Sequence, residues 1–128
     1  MTTLGRHALL ELRDCNRAKL DDLGFIRDSL LQAAAKAGGT VIDHIFHQFS
    51  PQGVTGVVAI AESHLCIHTW PEYGYAAMDI FTCGDSFDPH DAAQLLIQQF
   101  ESSNPQVIEV PRGVGVLDAQ VMEPQLRP

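Results

Sequence analysis

The chain has 128 residues, 45% of them hydrophobic, and a net charge of −8 from 8 basic and 16 acidic side chains. That length suits one domain with a real core, and no stretch approaches the ~18 consecutive apolar residues of a membrane span. The acidic balance works against nucleic acid or an anionic membrane as partner and suits a small cationic molecule. Met1 to His7 lacks a basic-then-apolar leader, and the 3 cysteines cannot all pair within one chain, so a reduced, cytoplasmic protein is expected.

Ala8 to Leu12 reads as a strand, and Asn16 after it as the cap of a helix. Across Arg17 to Ala37, Leu20, Leu23, Ile26, Leu30, Ala33 or Ala34 and Ala37 recur at three- and four-residue steps. That is one face of an amphipathic helix, stopped by Gly38-Gly39. Thr40 to Phe49 is rich in β-branched and aromatic residues and reads as a strand, followed by the turn Ser50-Pro51-Gln52-Gly53. Val54–Ile60, Leu65–Trp70 and Tyr75–Thr82 are three more strands, Pro71 closing the second. Asp88-Pro89 opens a second helix with Ala92, Leu95, Leu96 and Phe100 as its buried stripe, and Gln106 to Val110 is a last strand. The tail from Glu123 to Pro128 reads as loose. Two helices and an antiparallel sheet predict an α+β two-layer sandwich, both helices on one face, in a single domain over residues 1–128.

The chemistry concentrates in Glu62-Ser63-His64-Leu65-Cys66-Ile67-His68-Thr69-Trp70-Pro71-Glu72, with Thr82-Cys83-Gly84-Asp85 downstream. Polar groups interleaved with apolar ones on strands are either satisfied or functional. His64 and His68, with Cys66 between them and His44 and His47 upstream, raise the question of a metal. The segment reads as a strand and has no H-E-x-x-H or C-x-x-C spacing, so no metal is expected. Cys83 with His68 would suit a thiol hydrolase, but the sequence offers neither an oxyanion hole nor a third orienting residue. Arg112-Gly113-Val114-Gly115 is a weak phosphate loop because no helix pattern follows it. One by one, a buried cysteine or histidine is most often structural. Their density here is not explained that way.

The run Ala61 to Ala77, with Phe81-Thr82-Cys83-Gly84, Leu4-Gly5-Arg6-His7 and Gly53-Val54-Thr55-Gly56-Val57-Val58, closely resembles the short prokaryotic S-adenosylmethionine decarboxylase proenzymes. The likeness extends to about Gly113. It implies a zymogen that cuts itself between Glu62 and Ser63 into a 1–62 chain and a 63–128 chain, turning Ser63 into a pyruvoyl cofactor that binds substrate as a Schiff base. It further implies His68 as the proton acceptor of maturation, Cys83 as the proton donor of decarboxylation, and Thr55 where the family usually carries a serine that assists processing. The same resemblance suggests Phe49, Trp70 and Glu72 as contacts to the substrate and spermidine biosynthesis as the setting. A homodimer of cut protomers is expected from the uncovered second face of the sheet. Ornithine or arginine remains an alternative substrate for this family and charge, and an uncut, non-catalytic homologue an alternative role. Ser63 and His68 fall on opposite faces of a straight strand. They therefore need a turn or bulge near Ser63, for which Glu62-Ser63 is the candidate, or another route to meet.

Overall fold

The computed structural model describes residues 3–83 and 87–117; Gly84, Asp85 and the tail Glu123 to Pro128 fall outside them. In chain order the elements are β1 (Gly5–Arg13), a 3-10 turn (Lys19–Asp21), α1 (Leu23–Lys36), β2 (Val41–Gln48), β3 (Val54–Ile60) and β4 (Ser63–Trp70). A second 3-10 turn (Pro71–Tyr73), β5 (Tyr75–Cys83), α2 (Pro89–Gln99) and β6 (Asn104–Arg112) follow. The strands form one six-stranded sheet in the order β2-β3-β4-β5-β1-β6, every neighbouring pair antiparallel. Both helices cover the same face, as the α+β sandwich requires.

Alternation decides what lies under the helices. On β1, Ala8, Leu10 and Leu12 point inward, on β3 Val54 and Val58, on β4 Leu65 and Ile67, and on β5 Ala76, Met78 and Ile80. Against them pack Ile26, Leu30, Ala33 and Ala34 of α1 and Ala92, Ala93 and Leu96 of α2, with Phe100 fully buried where the second helix ends. Gly56 faces the same way because the Phe46 ring of β2 lies where its Cβ would be. A side chain at that position would push an aromatic out of the core.

The first helix differs from its sequence reading. Asn16 Oδ1 accepts from the Lys19 amide at 3.2 Å, which leads only into the 3-10 turn, and Leu20 is buried from that turn. The chain then breaks, and α1 starts afresh with Asp22 as its cap, accepting from the Phe25 amide at 3.0 Å. Two side chains six positions apart, Asn16 and Asp22, each accept from a backbone amide three residues on, and the apolar stripe is divided between two elements. Asp88 and Pro89 open α2 as expected, Asp88 accepting from the His90 amide.

The sheet's other face is not covered by any described element. From β2 to β6 its middle row carries Ile45, Val57, Cys66, Asp79, Leu9 and Ile108, as the strand registers dictate. No described helix is long and apolar enough to cross a membrane.

Candidate active site

The turn between β3 and β4 is Ala61-Glu62, and Glu62 sits at φ 65°, a left-handed backbone that costs a residue with a side chain on the order of 1 kcal/mol or more. It delivers Ser63 as the first residue of β4, opposite Ile60 on one side and Thr82 on the other. The Glu62 carbonyl accepts a hydrogen bond from the Cys83 backbone N–H at 3.0 Å. Ser63 Oγ is buried and has no hydrogen-bond partner among the described residues. A buried hydroxyl left unpaired is costly, and this one belongs to the residue directly after a carbonyl that is already polarised.

From Ser63 to His68 the β3–β4 register runs one-to-one without a bulge. The turn at Ala61-Glu62 therefore does not bring the two residues together. Ser63 shares the inward face with Leu65 and Ile67, whereas His68 lies on the open face, ~16 Å further along the strand at the usual rise per residue. Cys83 and His68 are also separated within one chain: His68 pairs with Ala77, six residues and ~20 Å from Cys83 along β5. A cysteine–histidine hydrolase built from a single chain has no geometry here.

The other nominated residues do converge. A cavity of about 240 Å³ is lined by Phe49, Thr55, His68, Trp70 and Glu72 together with the Gln52–Val54 turn. Neither aromatic is core: Phe49 is 47% exposed and Trp70 39%, so both rings are available to a ligand. Trp70 stacks on Tyr75 with ring centres 5.4 Å apart, which fixes its plane. Thr55 Oγ1 lies 3.0 Å from His68 Nδ1, so the hydroxyl orients the imidazole and leaves Nε2 free. The nominated residues are thus split into a turn end with Glu62, Ser63 and Cys83, which is the scissile end of the expected cut, and a cavity end with Thr55, His68, Trp70, Glu72 and Phe49.

Between the ends lies a polar cluster that the sequence reading missed. His64 and His68 share a face but stand ~13 Å apart on β4, too far to hold one ion. His64 instead meets His7 of β1 and Asp79 of β5, with one potential ligand atom from each of the three within 4.8 Å of the others. His7 Nε2 is 3.1 Å from Asp79 Oδ2, and Arg112 approaches His7 Nδ1 at 2.9 Å. Arginine can only donate, so a neutral His7 accepts at Nδ1 and carries its proton on Nε2, which donates to Asp79. That tautomer links Arg112, His7 and Asp79 by hydrogen bonds, with His64 outside the chain of bonds, and places a proton on the His7 nitrogen that faces Asp79. Asp79 Oδ1, buried and without a donor among the described residues, lies 3.7 Å from His64 Nε2. The clue in the sequence was a lone carboxylate in the apolar run Ala76 to Phe81. Beside it the Cys66 thiol is pushed up to about 12 by burial first and then by the Asp79 carboxylate, so it stays protonated and unreactive.

Comparison with known proteins identifies the family. The S-adenosylmethionine decarboxylase family profile matches residues 6–113. The chain belongs to that family. A proenzyme of the same description from Thermodesulfovibrio yellowstonii is 52% identical over 114 residues, covering 89% of this chain and 84% of the relative. One from Oceanobacillus iheyensis is 47% identical over 96% of this chain and 98% of its own. The crystal structure of the adenosylmethionine decarboxylase from Aquifex aeolicus superposes with a TM-score of 0.81 at 38% identity, covering 89% of this chain and 94% of that one. The α+β sandwich is therefore the fold of a decarboxylase family, and the chain is an enzyme of that type.

Proposed function

We propose that the chain cuts itself between Glu62 and Ser63 and that its mature form decarboxylates S-adenosylmethionine, releasing CO2 and the aminopropyl donor of spermidine synthesis. The scissile peptide carries this reading: an unpaired buried hydroxyl follows a carbonyl held by the Cys83 N–H, on a residue at φ 65°. Ser63 Oγ attacks the Glu62 carbonyl carbon, and the Cys83 amide stabilises the oxyanion that forms. The Glu62–Ser63 C–N bond then breaks, leaving Glu62 as an ester on Ser63 Oγ and the Ser63 nitrogen as an amine. A base takes the Ser63 α-proton, Glu62 departs as a carboxylate, and hydrolysis of the dehydroalanine releases ammonia. These residues fit the resulting pyruvoyl group, which supplies an electrophilic carbonyl and an electron sink for loss of CO2 from an α-amino acid. Cys83, beside residue 63, returns a proton to the substrate carbon; the cavity end holds the rest of the molecule, Phe49 and Trp70 against its adenine or sulfonium and Glu72 against ribose hydroxyls.

The base is His68, and it comes from a second copy. The scissile end and the cavity end lie ~16 Å apart along one strand, and a two-fold axis between stacked open faces sets each end against the opposite end of its partner. A homodimer so built has two complete sites, each with Ser63 and Cys83 from one protomer and Thr55 and His68 from the other. The uncovered apolar residues Ile45, Val57, Leu9 and Ile108 support a covered face.

The test pairs a denaturing gel with CO2 release from carboxyl-labelled S-adenosylmethionine, ornithine and arginine. Two bands and release from S-adenosylmethionine alone are expected. A single uncut band with Ser63 intact by mass would remove the enzyme reading, and release only from a basic amino acid would change the substrate while keeping the mechanism. Gln52 in the cavity wall, polar beside Phe49, is the observation that makes those two amino acids the right competitors.

A further inference from the structure

The cavity wall is a surface turn, and a turn that must present an aromatic ring to a ligand needs something to hold it. Residues 49–53 close on themselves through a hydrogen bond from the Phe49 amide to the Gly53 carbonyl at 2.8 Å. Gly53 sits at φ 102° with Thr69 O only 3.1 Å from where a Cβ would be, so no other residue fits. One carboxylate outside the turn takes two further bonds. Asp21, last residue of the Lys19–Asp21 turn, accepts at Oδ1 from the Gly53 amide at 2.9 Å and from Gln48 Nε2 at 2.8 Å. Gln48 Nε2 also reaches the Gly53 carbonyl at 3.2 Å. Both ends of the turn are thus tied to a single oxygen.

The residue before Asp21 anchors the cavity floor. Thr69 Oγ1 accepts from the Val54 amide at 2.8 Å and donates to the Leu20 carbonyl at 2.7 Å. Thr69 and Val54 both line the cavity and flank His68, Trp70 and Thr55. Leu20 is fully buried, so the 3-10 turn is a fixed point.

We propose that Asp21 is a positioning residue for substrate binding: it clamps the Gln48–Gly53 turn so that Phe49 and Gln52 form a standing wall of the cavity. It touches neither the scissile peptide nor Cys83. Its bonds go to Gln48 and Gly53 and not to His68 or Thr55, whose own pairing holds the imidazole, so the clamp acts on affinity and leaves self-cleavage and proton return alone. The proposal rests on the cavity being the substrate site.

Asp21→Ala removes two acceptor contacts, and with a turn that must then order on binding KM should rise roughly 10-fold while kcat stays within about two-fold. Asp21→Asn keeps an oxygen at the same position and should restore most of the affinity, separating hydrogen bonding from charge. Hydrogen exchange at the Gly53 amide gives an arm independent of activity: it should lose protection in Asp21→Ala and keep it in Asp21→Asn. If the wild type fails to turn over S-adenosylmethionine, the functional reading falls while the exchange arm still decides the clamp. Should Asp21→Ala not fold, Gln48→Ala removes one tie from the exposed side and carries the same expectation in smaller measure. An unchanged KM with unchanged Gly53 exchange would overturn the proposal, and so would an equal fall in kcat and self-cleavage.

Discussion

The proposed reaction gives Ser63, Cys83, Thr55 and His68 each a separable job, and single substitutions should separate them. Ser63→Ala leaves no nucleophile, so one uncut band is expected on a gel. Cys83→Ala keeps the backbone N–H that holds the Glu62 carbonyl and should still cleave, while decarboxylation falls by roughly 10² to 10⁴-fold for a lost acid. Normal turnover in that variant would show that another group returns the proton. Thr55 stands where the sequence resemblance implies a serine, from which it differs by one methyl, and its hydroxyl is what meets His68. Thr55→Ser should therefore process at about the native rate, and Thr55→Ala more slowly. The motif made these four residues legible as a set, because a hydroxyl, a thiol and an imidazole among apolar neighbours are chemically conspicuous. Their positions could be read only in part: alternation put Ser63 and His68 on opposite faces, but the Cys83 amide on the Glu62 carbonyl is a backbone contact that leaves no mark in the sequence. Asp79 shows the converse. It was visible as a charge inside an apolar strand, but its partners His7 and Arg112 come from strands far away in the chain.

Strands and helices were legible to the extent that one physical signal governed them. The nearly continuous apolar run gave β3 its bounds directly, and Asp88-Pro89 fixed the start of α2. The long stripe from Arg17 to Ala37 failed at one point, because helical periodicity continues across a break whose cause is the Asp22 cap. Asp22→Ala and Asp88→Ala should each lower stability by about 1 kcal/mol, read as a shift in denaturant midpoint at constant slope. The open-face strands also carry groups whose protons the fold retains. Burial, then Asp79, pushes Cys66 from 9.0 to about 12, and burial, then the hydrogen bond to Glu11, pushes Tyr75 from 10.0 to about 12. Each folded-state value is raised, so the stabilisation is complete below the unfolded values and is lost as pH climbs from about 9 through about 12. The unfolding midpoint should fall across that window, and less steeply in Cys66→Ala.

At the scale of the whole molecule, a site in two halves makes a prediction that a one-chain site does not. If His68 acts across a two-fold axis, a chain lacking its own imidazole is still cut when its partner has one. Co-expressing His68→Ala with Ser63→Ala, each carrying a different tag, should give mixed dimers in which one junction joins an intact Ser63 to an intact His68. The other junction has neither. In those dimers the His68→Ala chain should be processed to two fragments, and the Ser63→Ala chain should stay whole. Alone, the His68→Ala protein should stop before elimination and yield an ester that hydroxylamine cleaves. Tandem-tag purification isolates the mixed species, and fragment masses show whether residue 63 has become a pyruvoyl group or remains a serine. An uncut His68→Ala chain in a verified mixed dimer would mean that His68 works within its own protomer. The ~16 Å along β4 would then have to close by movement of the Glu62-Ser63 turn rather than by assembly. Light scattering completes the argument, since a protomer alone at micromolar concentration has no second cavity end to offer.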